Sequence, residues 1–137
     1  MKKRCECGDT KKLHLRTVVY ARKVNITRVP VYCCSRCGSH EVDSGVKGEI
    51  GSLIGQLGSK PAPRTIPFDQ MNEWAGVLSL AMDTGKEPLE ENLVARAAEE
   101  RTNELLDLWL IAASLGDEIW KSELEGRLSQ LRSLYIS

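Results

Sequence analysis

"KLHLRTVVYARKVNITRVPVYCCSRCGSH", residues 12 to 40, decides how this chain is read. Its first half alternates and is rich in β-branched residues. Leu13, Leu15, Thr17 and Val19 point one way, and His14, Arg16, Val18 and Tyr20 the other. The pattern predicts a strand, a turn near Ala21 to Lys23, and a second strand through Val24 and Ile26. Pro30 cannot donate to a ladder, so a last short strand is expected to start there or to lie on an edge. The stretch then ends in Cys33, Cys34 and Cys37, with Gly38 directly behind them.

Working outward, a second cluster, "CECG" at residues 5 to 8, precedes the strands, so cysteines bracket a small antiparallel sheet. In "CSRCG" two intervening residues let both sulfurs reach one ion, and the Gly lets the chain turn so that backbone amides face the thiolates. Cys5 and Cys7 are separated by one residue where a knuckle normally has two, so that turn must differ. Together Cys5, Cys7, Cys34 and Cys37 supply the four sulfurs of a closed, structural Zn2+ site. Cys33 should point opposite to Cys34 on a strand and is read as buried or spare. His40 and His14 are rival ligands.

Catalysis is not expected. Four thiolates leave no open position for water on a metal. A thioredoxin-like role needs the cysteine pair at a helix start within a βαβ unit, and the pattern holds no such unit. No nucleophile–base pair is legible. The acidic run with Glu90, Glu91, Glu99, Glu100 and Glu104 lacks His partners and reads as a solvated helix face.

The 137 residues suffice for one domain, or for a small module plus a helical one. No apolar run is long enough for a membrane span, and the basic N-terminus lacks the apolar stretch of a signal peptide. A cytoplasmic protein is therefore expected, where clustered cysteines more often bind metal than form disulfides. The net charge of zero hides an asymmetry. Residues 1 to 40 carry ten Lys and Arg against two acids, and residues 41 to 137 nine against seventeen. The basic half could face nucleic acid through Lys11, Lys12, Arg16, Arg22, Lys23 and Arg28, or an acidic protein, or its own acidic half. Tyr20 and Tyr32 are its only aromatic residues, which argues against base stacking.

After His40 the period changes. Val46, Ile50, Leu53, Ile54 and Leu57 predict a helix capped by Asp43 or Ser44 and ended by Gly58, and "GSKPAPRTIP" then reads as a proline-stiffened linker. Met71, Trp74, Ala75, Leu78 and Met82 mark a helix closed by Gly85. With Pro88 in its first turn, a long helix follows through Leu89, Leu93, Ala97, Leu105, Trp109 and Ala112 to Leu115. Gly116 breaks it. Asp117 caps a last helix bearing Trp120, Leu124, Leu128, Leu131 and Tyr135, with a Glu123–Arg127 ion pair. The short break implies an antiparallel hairpin. Three tryptophans on three helices suggest a shared core, and the hairpin leaves room for a homo-oligomer.

"CECG…VVYARKVNITRVPVYCCSRCGS" resembles the YgiT-type zinc finger family, the zinc module at the N-terminus of some bacterial antitoxins. The resemblance covers about the first 42 residues and rests on Val29, Pro30, Cys34, Cys37 and Gly38. It implies two knuckles flanking a β-hairpin, with Cys5, Cys7, Cys34 and Cys37 as zinc ligands. Antitoxins of this kind often carry a helix-turn-helix after the zinc module, and no such signature follows here.

The expectation is thus an α+β chain: a zinc ribbon over 1–42, a helix and linker over 43–67, and an all-α region over 68–137. It is expected to act without catalysis, as a bacterial regulator or adaptor that binds a protein partner. Nucleic-acid binding, or neutralisation of a partner toxin, are the alternatives.

Overall fold

The computed structural model describes residues 1–84 and 89–135, the side chains of Thr84 and of 132–135 excepted. Gly85, Pro88 and the Tyr135 side chain, each assigned a role from the sequence, lie outside the described residues. The alternating stretch forms two long strands, β2 (Thr10–Tyr20) and β3 (Val24–Cys34). They are flanked by β1 (Lys2–Arg4) and β4 (His40–Val42) in the antiparallel order β1-β2-β3-β4. The connecting turn puts Ala21 and Arg22 at φ 53° and 58°, and the Lys23 amide donates to the Tyr20 carbonyl at 3.1 Å. Positive φ at both central residues matches the right-handed twist of the strands.

Pro30 neither starts β3 nor lies on an edge strand; β3 runs unbroken through it at the centre of the sheet. Two features reconcile this. Arg16 pairs with Val29 but Val18 with Ile26, so β3 carries one extra residue there, and Arg28 adopts φ 58°. The Pro30 carbonyl accepts the Asp43 amide at 3.0 Å, so its backbone polar edge faces away from β2. The missing N–H therefore costs the β2 ladder nothing.

The predicted linker also does more than connect. Residues 64–67 form β5, which pairs in parallel with Val24–Thr27 of β3 and buries Ile66. Three prolines read as a stiff spacer, but stiffness and strand pairing are compatible where the prolines stand at the strand's end or outside it.

The helices are α1 (Ser44–Leu57), α2 (Glu73–Thr84), α3 (Glu91–Leu115) and α4 (Glu118–Tyr135), with one 3-10 turn over Phe68–Gln70. Gly58 at φ 75° ends α1, and Gly116 at φ 69° ends α3. The Trp120 amide donates to the Asp117 carboxylate, which caps α4 as expected. Asp43 stands at the N-cap of α1 without a side-chain cap bond, and its buried carboxylate instead accepts the indole N–H of Trp74 at 2.9 Å. Met71, placed in the stripe of α2, precedes that helix and is exposed. Arg127 pairs with Glu73 of α2 at 2.8 Å, and the expected Glu123–Arg127 pair does not form among the described residues.

One apolar cluster runs through all of these elements. It joins Leu13, Val24 and Ile26 of the sheet to Val46 and Ile50 of α1, Phe68, Trp74 and Leu78, and on to Leu105, Leu124 and Leu131. Of the three tryptophans, Trp74 is buried in it, while Trp109 and Trp120 pack partly exposed against it. A chain of polar contacts ties the helices at one level. Glu73 accepts from Arg101 of α3 at 2.6 Å, while its own backbone N–H reaches Gln130 of α4. Asn72 caps α2 through the Ala75 amide and donates to Glu49 of α1.

Candidate metal centre

The two cysteine turns are built alike. At the first, the Cys5 carbonyl accepts the Gly8 amide at 3.0 Å and the Cys5 amide donates to the Asp9 carbonyl at 2.8 Å. At the second, the Cys34 carbonyl accepts the Gly38 amide at 3.0 Å and the Cys34 amide donates to the Ser39 carbonyl at 3.0 Å. Gly8 at φ 96° and Gly38 at φ 74° take the left-handed backbone that each closure requires. The first turn spans one residue fewer between the same two bonds. That is how a one-residue cysteine gap reaches the same end point as a two-residue one.

β1 and β4 then bring the turns together. They extend the β2–β3 hairpin at its open end, where Lys11 stands opposite Cys34 and Lys12 opposite Cys33. The four sulfurs of Cys5, Cys7, Cys34 and Cys37 all lie within 4.8 Å of one another. Cys5–Cys37 and Cys7–Cys34 are each 3.6 Å apart. A tetrahedron with metal–sulfur bonds of about 2.3 Å has edges of about 3.8 Å, so the cluster is close enough to hold a metal ion. The leading cysteine of each turn, Cys5 and Cys34, is buried, while Cys7 and Cys37 are exposed.

The rival ligands stand elsewhere. Cys33 is buried and pairs across the strands with His40, whose Nδ1 lies 3.1 Å from the Cys33 sulfur. His14 is on β2 opposite Val31. Neither histidine belongs to the four-sulfur cluster.

Ser39 was not singled out from the sequence. Its hydroxyl stands 3.3 Å from the Cys37 sulfur and 3.6 Å from that of Cys5. The hydrogen bond with this hydroxyl, and then that with the Ser39 backbone, holds the Cys37 thiol down at about 6. Cys5 is lowered too, by the Cys7 backbone amide first and then by Ser39. The Asp9 amide lowers Cys7, but Cys5 and burial outweigh it and push that thiol up to about 12. Cys5, Cys7 and Cys37 thus share their protons unevenly, as crowded thiols do when the charge on one disfavours charge on the next. A small hydroxyl residue just after the second Cys-Gly was the available signal for Ser39.

The basic patch is partly spent inside the molecule. Glu41 accepts from Lys3 at 2.7 Å and from Lys11 at 3.1 Å, bracing the strands beside the cysteines. Arg28, presented by the bulge, reaches Ser79, Asp69 and Asp83. Lys11 and Arg28, both candidates for phosphate contact, therefore have internal acidic partners. The other four, Lys12, Arg16, Arg22 and Lys23, are exposed on β2 and its turn. Glu90, Glu91, Glu99, Glu100 and Glu104 are all exposed, as a solvated face should be. No described helix is long and apolar enough to cross a membrane. Compared with known proteins, the chain matches no family model, no curated protein and no solved structure.

Proposed function

We propose that Cys5, Cys7, Cys34 and Cys37 hold one structural Zn2+ and that the chain is a non-catalytic bacterial regulator or adaptor acting through protein–protein contact. The observation that carries this is the four-sulfur cluster, with every sulfur within 4.8 Å of the others on two turns closed by glycine. Four thiolates complete a tetrahedral sphere, so zinc there would stabilise the fold and leave no site for a substrate. Backbone amides and Ser39 would offset the charge of the thiolates. The "VP…CxxCG" run and the hairpin between the two cysteine turns support kinship with the YgiT-type zinc finger, and a cytoplasmic setting, where thiols stay reduced, suits a cysteine-held metal.

Native mass spectrometry before and after a strong chelator tests this. One zinc per chain, lost together with order in the N-terminal half, is the expected result. Protein purified under reducing conditions with no metal would remove the reading. A partner toxin, as in antitoxins bearing this module, would be found by co-expression with neighbouring genes.

A second reading has its own observation. Lys12, Arg16, Arg22 and Lys23 are exposed along one strand and its turn, a geometry that suits phosphate contact. Nucleic-acid affinity that falls steeply with salt would favour it, and no retention at low salt would dismiss it.

A further inference from the structure

The α3–α4 hairpin projects beyond the helix that packs on it. Glu73, at the start of α2, meets Arg101 of α3 and Arg127 of α4, so α2 reaches only to that level. From there α3 runs on to Leu115, about 20 Å further at 1.5 Å per residue. At about 100° per residue, Leu108, Ile111 and Leu115 fall within about 80° of Arg101. They therefore continue the side of the hairpin that α2 occupies lower down. Ile111 and Leu115 are 48% and 69% exposed, and Leu108 and, on α4, Trp120 are only partly covered. Among the described residues, Ile111 and Leu115 belong neither to the buried cluster nor to the apolar side chains packed against it.

Its surroundings are acidic. Residues 103 to 125 carry six acids, Glu104, Asp107, Asp117, Glu118, Glu123 and Glu125, against the single base Lys121. Lys121 is held over the Trp109 ring, at 5.0 Å from its centroid, and Trp109 lies about 120° round α3 from Leu115. Glu104 falls between Ile111 and Leu115 in angle and accepts from Arg101 through one oxygen at 2.9 Å, leaving the other open, and Glu123 lies one turn before Arg127 on α4. A second copy of the hairpin would bring these carboxylates against one another at short range, which disfavours self-pairing.

We propose that this strip, in line with α2, is a docking groove for a basic amphipathic helix of a partner protein. Apolar side chains of the partner would cover Leu108, Ile111, Leu115 and Trp120, and its lysines or arginines would meet Glu104 and Glu123. This deepens the binding-protein reading and rests on it. It also replaces the homo-oligomer expected from the hairpin with a partner of opposite charge.

The test uses the full chain as purified and a labelled synthetic helix of leucine and lysine in amphipathic order. A peptide of the same composition in scrambled order is the control. The ordered peptide should bind and the scrambled one should not. Leu115→Glu should weaken binding by about tenfold or more although it adds attractive charge, because the substitution removes apolar surface from the groove. Ile111→Gln, with circular dichroism to check folding, repeats the test at a second exposed position. Glu104→Gln with Glu123→Gln should weaken binding severalfold and flatten its salt dependence, while sedimentation finds the free protein monomeric. Equal binding of the scrambled peptide, or full affinity in Leu115→Glu, overturns the proposal. So does self-association that Leu115→Glu abolishes, since the occupant would then be a second copy. Zinc content is read separately, so loss of peptide binding with zinc intact removes the groove alone, and absence of zinc removes only the metal reading.

Discussion

In the two cysteine turns, Glu6, Cys7, Ser35, Arg36 and Cys37 are exposed, and of the four clustered cysteines only Cys5 and Cys34 are buried. At the other end Trp74, Leu78, Leu105 and Leu124 are buried in a cluster that four helices share. The first region has little apolar surface to remove from water, so a metal ion held by the four sulfurs would order it. The second is held by area burial, which needs no ion. Between them the sheet belongs to both. Its far half is packed under α2 and the 3-10 turn, and its near half ends in the two cysteine turns.

The largest expected effect separates these regions. Cys34→Ser removes one thiolate of four, and structural zinc is worth about 10–16 kcal/mol in small zinc-dependent domains. Zinc stoichiometry should fall to near zero and hydrogen exchange should accelerate over residues 1–12 and 33–43, with α3 and α4 still protected. Uniform loss of protection across the chain would mean that the helical core has no stability of its own.

Phe68→Ala probes the opposite end of the comparison. Phe68 is 1% exposed, and its truncation should cost about 3–5 kcal/mol in urea unfolding. One zinc should still be bound under folding conditions. A metal content that drops with the core would merge the two regions into one cooperative unit.

Glu73 gives a smaller, pH-dependent effect. Burial pushes its carboxyl up, but Arg101 and Arg127 outweigh burial and hold it below its ordinary value of 4.5. A depressed carboxylate contributes stability above its unfolded pKa and loses it as pH falls through the folded one. Glu73→Gln should therefore destabilise the neutral protein by about 1 kcal/mol, discounted for the partly exposed arginines. The gap between variant and parent should close below pH 4.5. A gap independent of pH would assign the loss to packing.

The smallest effect is a gain. Gly48, Gly51 and Gly55 lie within α1, and a Cβ at any of them meets nothing within 4 Å. Each change to Ala should stabilise by about 0.5–1 kcal/mol, read as a higher midpoint in thermal unfolding. A loss at Gly51 would show that another chain packs closely against this face.

How far the chain could be read beforehand varies with the range of the interaction. The β2–β3 hairpin follows from the alternation of residues 13 to 20, because side-chain period is a local property. The ends of α1 and α3 follow from Gly58 and Gly116, and the cap of α4 from Asp117, for the same reason. The four clustered cysteines were legible from spacing and glycines alone. Arg28 was not: its charge suggested phosphate, while a bulge one residue long turned it toward Asp69 and Asp83. Lys11 was likewise claimed by Glu41, thirty residues away, once β4 closed on β3.

The sequence by itself determined the β2–β3 hairpin, the four helices and their order, and which cysteines could share an ion, since period, caps and spacing act over a few residues. Tertiary structure alone decided three further things. It made residues 64–67 a fifth strand, because β3 had an unpaired flank between Val24 and Thr27. It carried β3 through Pro30, because that residue's polar edge faces Asp43 rather than β2. It left Ile111 and Leu115 uncovered, because α2 starts at the level of Glu73 and the hairpin it packs on is longer.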